Sequence, residues 1–299
     1  MKASVLKKLN LMIEEANSFK DKNKYQKAID KLHEAIDFIN EKVKEPEDKE
    51  IEINNIKNAI YQTYSVEIND YIQQAIRLVS QKEFNKAYEN FQEALKIADN
   101  IDDPDYKENE VQEINRLDNE AKLKELIEDA ISLRENKNFD DAIETFNKAL
   151  IIAEEIYEGV PKIEERDKIK AEIDQTCSTQ IKFIIENGNQ LKSADRSEDA
   201  INEFEKALKL TDGFYNSEQK NKEITNVKNL VNQIYSNKVK PVVDKTREFV
   251  NQNNITSAIS ESNNALDIAN KMYDSDLKNL EISIIAEIIN PFYKEKITP

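Results

Sequence analysis

Apolar residues recur along this chain at helical spacing, and the same stripe appears five times. Each copy begins with one alanine and contains a second alanine seven residues later. Four residues after the first alanine stands Leu or Phe in four copies and Ser in the fifth. The first alanines are Ala28, Ala87, Ala142, Ala200 and Ala258, separated by 59, 55, 58 and 58 residues. Offsets of this kind lie on one face of an α-helix, called helix B here.

A second helical stripe, helix A, precedes each helix B. Twelve residues before the first alanine stands a small residue in four copies, and Phe or Leu follows it three positions later. The residues at the small position are Ala16, Ala75, Ala130, Gly188 and, in the fifth copy, Thr246. Small residues on facing helices allow the two backbones to approach closely, and neighbouring large side chains fill the remaining space. Each repeat is therefore predicted to be an antiparallel helical hairpin.

The segments between hairpins continue the helical pattern. Ile56, Ile60, Tyr64 and Ile68 lead into helix A of the second repeat with no Gly or Pro between them. This spacing predicts A helices of about 30 residues, whereas the B helices are expected to have roughly 18. Pro241, inside the last A helix, predicts a kink or a break. Helices should then make up more than roughly 70% of the chain, about twice the usual share.

A last amphipathic segment is predicted to cap the end of the array, because terminal repeats need a cap. Its apolar positions are Leu277, Leu280, Ile284 and Ile288. The expected organisation is one repeat domain over 1–299. Its hairpins are approximately 1–44, 48–102, 106–158, 161–213 and 217–272, and its capping helix is 275–290.

The hairpin pattern resembles the tetratricopeptide repeat. In that family helix A carries a small residue followed by an aromatic residue or Leu, and helix B carries alanine, an aromatic residue and alanine. In the first repeat these places are held by Ala16, Phe19, Tyr25, Ala28, Leu32 and Ala35. The resemblance implies a right-handed α-solenoid, here of five elongated hairpins. The usual family period is about 34 residues, so each hairpin of this chain carries roughly two dozen more.

Composition and charge narrow the function. The chain has 43 Lys and Arg against 59 Asp and Glu, a net charge of −16. That sign disfavours nucleic acid and anionic membrane surfaces as general partners. No apolar run approaches the roughly 20 residues that span a bilayer, and the first residues do not resemble a signal peptide. A single cysteine, Cys177, suits a reducing compartment. We therefore expect an acidic cytoplasmic protein without membrane insertion.

Residues that carry out catalysis or bind metals are sparse. His33 is the one histidine, Cys177 the one cysteine, and the chain has three glycines. An ordinary zinc site and a glycine-rich phosphate loop are therefore excluded. We expect Cys177 to be a buried helix residue, since Ile169, Ile173 and Ile181 share its spacing. The expectation is a protein that is not an enzyme and that holds no cofactor or metal.

The tetratricopeptide resemblance implies a concave groove lined by the A helices. Two rows flank the small position on helix A, three residues before it and one residue after it. The first row includes Ile72, Ile127 and Ile185, and the second Ile76, Ile131 and Asn189. Basic residues follow the same helices at Lys124, Arg134, Lys182 and Lys192. The alternative is that the Ile rows are ordinary core and that the charges form a solvated helix flank.

These features favour a scaffold or adaptor that binds a protein partner. The groove would hold a peptide or an amphipathic helix, with aliphatic contacts supplying affinity and basic residues orienting its carboxylates. The alternative function is structural, in which copies of the chain associate into a dimer or a filament.

Overall fold

The computed structural model of the chain describes residues 2–295, and side chains up to residue 290. The described residues form eleven α-helices and one short 3₁₀ turn, with no β-strand among them. Helical residues make up 88% of this part of the chain. The predicted all-α class and the predicted helical content are therefore confirmed.

Long and short helices alternate from α3 to α10, whereas α1 and α2 have 18 residues each. The odd-numbered helices are α1 (Ala3–Lys20), α3 (Pro46–Ser80), α5 (Pro104–Glu135), α7 (Gly159–Ser193), α9 (Ser217–Asn251) and α11 (Ser275–Glu295). The even-numbered helices are α2 (Tyr25–Lys42), α4 (Phe84–Ala98), α6 (Phe139–Ile156), α8 (Ser197–Leu210) and α10 (Ile255–Ala269). Helices α3, α7 and α9 have 35 residues each, whereas α8 has 14. The predicted difference in helix length is thus present.

Each odd helix from α1 to α9 joins the next helix through the same tight turn. The turn residue is left-handed at φ 54° to 64°, and it is Asn23, Lys82, Lys137, Asp195 or Asn253. In the first turn, the Lys24 N–H donates to the Phe19 carbonyl and the Asn23 N–H to the Lys20 carbonyl, both at 2.9 Å. This pair of bonds is a Schellman motif, and it recurs in the other four turns. The motif ends each odd helix without a glycine.

Consecutive helices pack in pairs through the small and large positions predicted from the repeats. Ala28 and Ala35 of α2 are 1% and 0% exposed, and Phe91 of α4 is 1% exposed. Helices α7 and α8 approach each other closely, and a Cβ on Gly188 would lie 2.4 Å from Cε1 of Phe204. Glycine at this position therefore lets the two helices meet more closely than alanine would.

The structure divides into two compact units. The first contains the residues up to Glu128 together with Ile151–Lys162, and its core includes Ile39, Ile68 and Phe91. The second contains Asp129–Leu150 and the residues from Ile163 onward.

Cys177 lies in the core of the second unit, as predicted, and is 1% exposed. Ile169, Ile173 and Ile181 are buried beside it along α7. Burial, with a smaller contribution from the charge of Asp174, raises the pKa of the thiol to about 11. The thiol is therefore protonated and inert near neutral pH.

Two predicted details of the last helices can be compared with the structure. Of the kink or break predicted at Pro241, the break is absent, because α9 runs without interruption from Ser217 to Asn251. Among the described side chains of α11, Ile285 and Ile289 are buried and the predicted Ile284 and Ile288 are half-buried, whereas Leu277 and Leu280 are 41% and 56% exposed. Helix α11 packs against both α9 and α10. Its buried face therefore depends on two neighbours rather than on its own apolar pattern.

Candidate functional site

The predicted aliphatic rows do not form one continuous apolar floor. Ile72 is 7% exposed and belongs to the core of the first unit, so it is not open to a partner. Ile76 is 43% exposed. Ile127, Ile131 and Ile185 are half-buried. For Ile72, the alternative of ordinary core is the one that the structure supports.

The predicted basic residues also differ in their environments. Lys124 and Lys182 are exposed. Arg134 instead donates from Nη1 to Oε2 of Glu172 on α7, at 2.7 Å, and its side chain is 13% exposed. This guanidinium joins α5 to α7 and is not free to orient a ligand. The sequence did not reveal the pairing because Glu172 lies 38 residues away.

Two further predicted residues lie on the C-terminal part of α7. Asn189 is exposed and Lys192 is half-buried. Within residues 2–290, Lys192 forms no ion pair and no side-chain hydrogen bond.

Two clefts in the second unit flank the exposed face of α7. One lies between α7 and the α5–α6 turn and measures about 500 Å³. The other lies between α7 and α9 and measures about 560 Å³. Gln175, Thr179 and Lys182 line both clefts. We call the surface formed by these three residues and the two clefts the α7 groove.

On the α5 side, the groove combines aromatic rings with cationic groups. The rings of Phe139 and Phe183 pack with their centroids 6.1 Å apart. The Lys137 ammonium lies 4.8 Å from the centroid of the Phe183 ring. This geometry allows a cation–π contact, and it holds the charge at the edge of the cleft.

On the α9 side of the groove, a hydrogen bond found between two other helix pairs is missing. Ser65 of α3 donates to Glu110 of α5, and Ser236 of α9 donates to Glu281 of α11. The serine and glutamate at the same register between α7 and α9 are Ser178 and Glu223. Ser178 instead accepts a hydrogen bond from Gln219 at 2.8 Å.

Charged groups in this second cleft are left without partners. Lys222 is exposed and Glu223 is half-buried. Among the described side chains, no ion pair and no side-chain hydrogen bond is formed by Lys182, Lys222 or Glu223. The cleft between α7 and α9 thus offers two ammonium groups and one carboxylate to a ligand, and the cleft on the α5 side is lined by two more carboxylates, those of Glu135 and Glu186.

Most residues of the groove were not among the predicted site residues, and four of them contribute polar or charged groups near the centre of the groove. They are Gln175, Thr179, Lys222 and Glu223. They lie in the parts of α7 and α9 that extend beyond the family pattern, so the family resemblance did not indicate them. The missing serine–glutamate contact could have been found only by comparing pairs 45 residues apart in every repeat.

Comparison of the chain with protein-family models and with curated proteins gave no match. The tetratricopeptide resemblance therefore stays a prediction from the sequence. No helix within residues 2–295 is both long and apolar enough to cross a membrane. The described residues also contain no group of three His, Cys, Asp or Glu side chains that could hold a metal ion.

Proposed function

We propose that this protein is a non-enzymatic interaction scaffold, an adaptor that binds a peptide or an amphipathic helix of another protein. In this proposal its five helix pairs are tetratricopeptide-like hairpins that form a right-handed α-solenoid. The paired packing of consecutive helices and the five turns of one geometry support this architecture. Repeat arrays of this kind present extended surfaces for protein partners.

The observation that carries the proposal is the α7 groove. Its two clefts meet at Gln175, Thr179 and Lys182, so a single segment can contact three helices at once. Carboxamide and hydroxyl groups can hydrogen-bond to a peptide backbone, and unpaired ammonium groups attract carboxylates. The segment we expect is therefore polar on one side and carries at least one acidic residue.

Net charge argues for the opposite partner, because a chain of −16 attracts basic proteins at long range. Screening limits that attraction, since the Debye length is about 8 Å at physiological salt. Lys182 and Lys222, in contrast, would act on a bound segment at contact distance.

The other predicted site residues have different places in this proposal. Ile185 and Asn189 lie further along α7, whereas Arg134 has a positioning role through its ion pair with Glu172.

Selection of peptides from a random display library tests the proposal. The enriched peptides should be rich in Asp or Glu, and their affinity should fall about tenfold or more for Lys182→Glu. Lys206→Glu is the matched control, because Lys206 lies on α8 and lines neither cleft. Peptides that bind the wild type and Lys182→Glu equally would exclude the α7 groove as the binding surface.

Self-association is the second candidate function, favoured by apolar side chains exposed on α11. Leu277 and Leu280 are 41% and 56% exposed, three residues apart on one helix. Light scattering distinguishes the candidates. A concentration-dependent mass that falls for Leu280→Asp would support assembly, and a monomer at all concentrations would contradict it.

A further inference from the structure

Helix α3 carries a long exposed stripe without charged side chains. Eight residues at helical spacing lie on one face of this 35-residue helix, and all eight are exposed. We call them the α3 stripe. It belongs to the first unit and shares no residue with the α7 groove. Its members are Ile51, Asn55, Asn58, Gln62, Val66, Asn69, Gln73 and Ile76.

The absence of charge distinguishes α3 from the later long helices. At the same register, four of the eight residues are charged in each of α5, α7 and α9. On α7 these four are Glu164, Lys168, Lys182 and Glu186. Charged residues are typical of a helix face that stays in contact with water, and they are depleted at the centres of protein interfaces. The α3 stripe therefore has the composition of a surface that another molecule covers.

The stripe combines aliphatic side chains with carboxamides. Ile51, Val66 and Ile76 are 58%, 41% and 43% exposed, and the other five members are Asn or Gln. Among the described residues, the carboxamides of the stripe form one side-chain hydrogen bond, from Nε2 of Gln73 to Oδ1 of Asn69 at 3.4 Å. A carboxamide both donates and accepts, so two such groups that face each other can pair. The stripe is thus chemically complementary to a second stripe of the same kind.

The residues of the stripe are arranged nearly symmetrically along the helix. Around the level midway between Thr63 and Tyr64, each member has a counterpart at the same distance to within one residue. Two α3 helices that face each other antiparallel, related by a two-fold axis at this level, therefore bring the counterparts together. The resulting pairs are Ile51 with Ile76, Asn55 with Gln73, Asn58 with Asn69 and Gln62 with Val66.

Charges beside the stripe fit the same arrangement. Glu52 and Arg77 directly follow the two end residues of the stripe in the sequence, so they lie on one edge of it. Neither side chain forms an ion pair or a hydrogen bond within residues 2–290. In the antiparallel arrangement, Arg77 of each copy lies nearly level with Glu52 of the other. Asp48 lies level with Val79 and Ser80 of the other copy, which carry no charge.

The net charge of the chain restricts where two copies can meet. Each copy carries −16, so the copies repel each other. A contact between them therefore requires a surface whose centre is free of charge and whose edges are complementary. The α3 stripe meets both conditions, whereas the equivalent faces of α5, α7 and α9 place charges in the contact.

We propose that two copies of this chain associate through their α3 stripes, antiparallel and related by a two-fold axis. The aliphatic residues pack at the ends of the contact, Ile51 of one copy against Ile76 of the other, and the carboxamides pair between them. An isologous contact of this kind closes at two copies. The inference goes beyond peptide binding, because it uses no residue of the α7 groove, and it does not use the exposed leucines of α11.

Sedimentation equilibrium of the full chain tests the inference. The mass should rise with concentration from one copy to two and no further. Asn58→Asp combined with Asn69→Asp sets carboxylates against each other at two places in the dimer, and should weaken it at least about tenfold. Asn85→Asp with Gln92→Glu is the matched control, because it adds the same charge at exposed sites on α4, and it should dimerise as the wild type does. A wild type that is monomeric at every concentration overturns the inference.

A charge-swapped variant tests the antiparallel register. Asn58→Lys combined with Asn69→Asp places each new lysine opposite a new carboxylate of the other copy, so the dimer should return. Both sites are exposed, so circular dichroism should show that each variant melts about as the wild type does. If the charge-swapped variant is as dissociated as Asn58→Asp with Asn69→Asp, the pairing is wrong and the inference is overturned.

Two comparisons separate this inference from the other proposed surfaces. Leu280→Asp should leave the dimer intact; if it dissociates the dimer and Asn58→Asp with Asn69→Asp does not, α11 is the contact and the inference is overturned. Library-selected peptides should bind the dissociated Asn58→Asp, Asn69→Asp variant as they bind the wild type. Peptides that ignore Lys182→Glu would exclude the α7 groove, and the dimer data would still support the α3 stripe.

Discussion

Replacing Gly188 with alanine should destabilise the protein, although alanine is the better helix former. Gly188 lies in the interior of α7, where Gly→Ala would by itself stabilise a helix by about 1 kcal/mol. The added Cβ, however, would lie 2.4, 2.9 and 3.0 Å from three ring atoms of Phe204. Ordinary carbon contacts are about 3.5 to 4.0 Å, so the ring or the helix must move by roughly 1 Å.

The ring of Phe204 has no free space to move into, since this residue is 0% exposed. Overpacking of a filled core costs about 1 to 3 kcal/mol. Offset by the gain in helix propensity, the expected net loss for Gly188→Ala is about 1 kcal/mol. Urea titration followed by circular dichroism measures it as a lower midpoint at unchanged slope.

Phe204→Leu provides the matched control, because the first repeat carries Ala16 and Leu32 at these two positions. Leucine removes the ring atoms that meet the new Cβ. The two substitutions together should therefore be less destabilising than the sum of the single effects, with a coupling of about 1 kcal/mol. If Gly188→Ala raises stability by about 1 kcal/mol and its effect is additive with that of Phe204→Leu, then α7 and α8 do not approach each other as closely as the structure indicates.

Three further predictions concern single residues. Gln180→Lys should stabilise the protein by about 1 kcal/mol, because the Gln180 Oε1 is buried without a hydrogen-bond partner and a lysine there can pair with Asp140, as Lys238 pairs with Glu198 one repeat later. An unchanged urea midpoint would contradict this prediction. Lys82→Gly should stabilise the protein by about 1 kcal/mol, since the Lys82 backbone is left-handed at φ 61° and glycine adopts that conformation without strain. A lower melting temperature would argue against the Schellman turn. Cys177 should react with a thiol reagent at pH 8 only after denaturant is added, because the side chain is 1% exposed and the pKa of its thiol is raised to about 11. Rapid labelling of the native protein would refute the burial of Cys177.

The helices and their pairing were predictable from the sequence because they depend on local spacing. Small residues such as Ala28 and Ala75 recur in constant register, and both are buried where the pattern requires it. The hairpin pattern also predicted a turn between the two helices of each repeat, but it did not predict the backbone conformation of that turn, because no glycine stands at the left-handed residue. Lys82 and Asp195 adopt that conformation because two backbone hydrogen bonds hold the turn.

The candidate site was less predictable because it depends on contacts between consecutive repeats. The pairing of Arg134 with Glu172 spans 38 residues and removes a cation that the helix pattern alone left free. Burial of Ile72 likewise depends on neighbouring helices rather than on its own stripe.

Hydrogen exchange of the full chain, with and without a library-selected peptide, tests the central claim most directly. A peptide in the α7 groove contacts the residues that line the cleft between α7 and α9, from Ala171 to Lys182 on α7 and from Gln219 to Asn226 on α9. Binding stabilises the state that it selects, so exchange in these segments should slow. The account predicts protection over 171–182 and 219–226 that disappears in Lys182→Glu. Protection confined to the outer faces of α6, α8 and α10, and unaffected by Lys182→Glu, would contradict it.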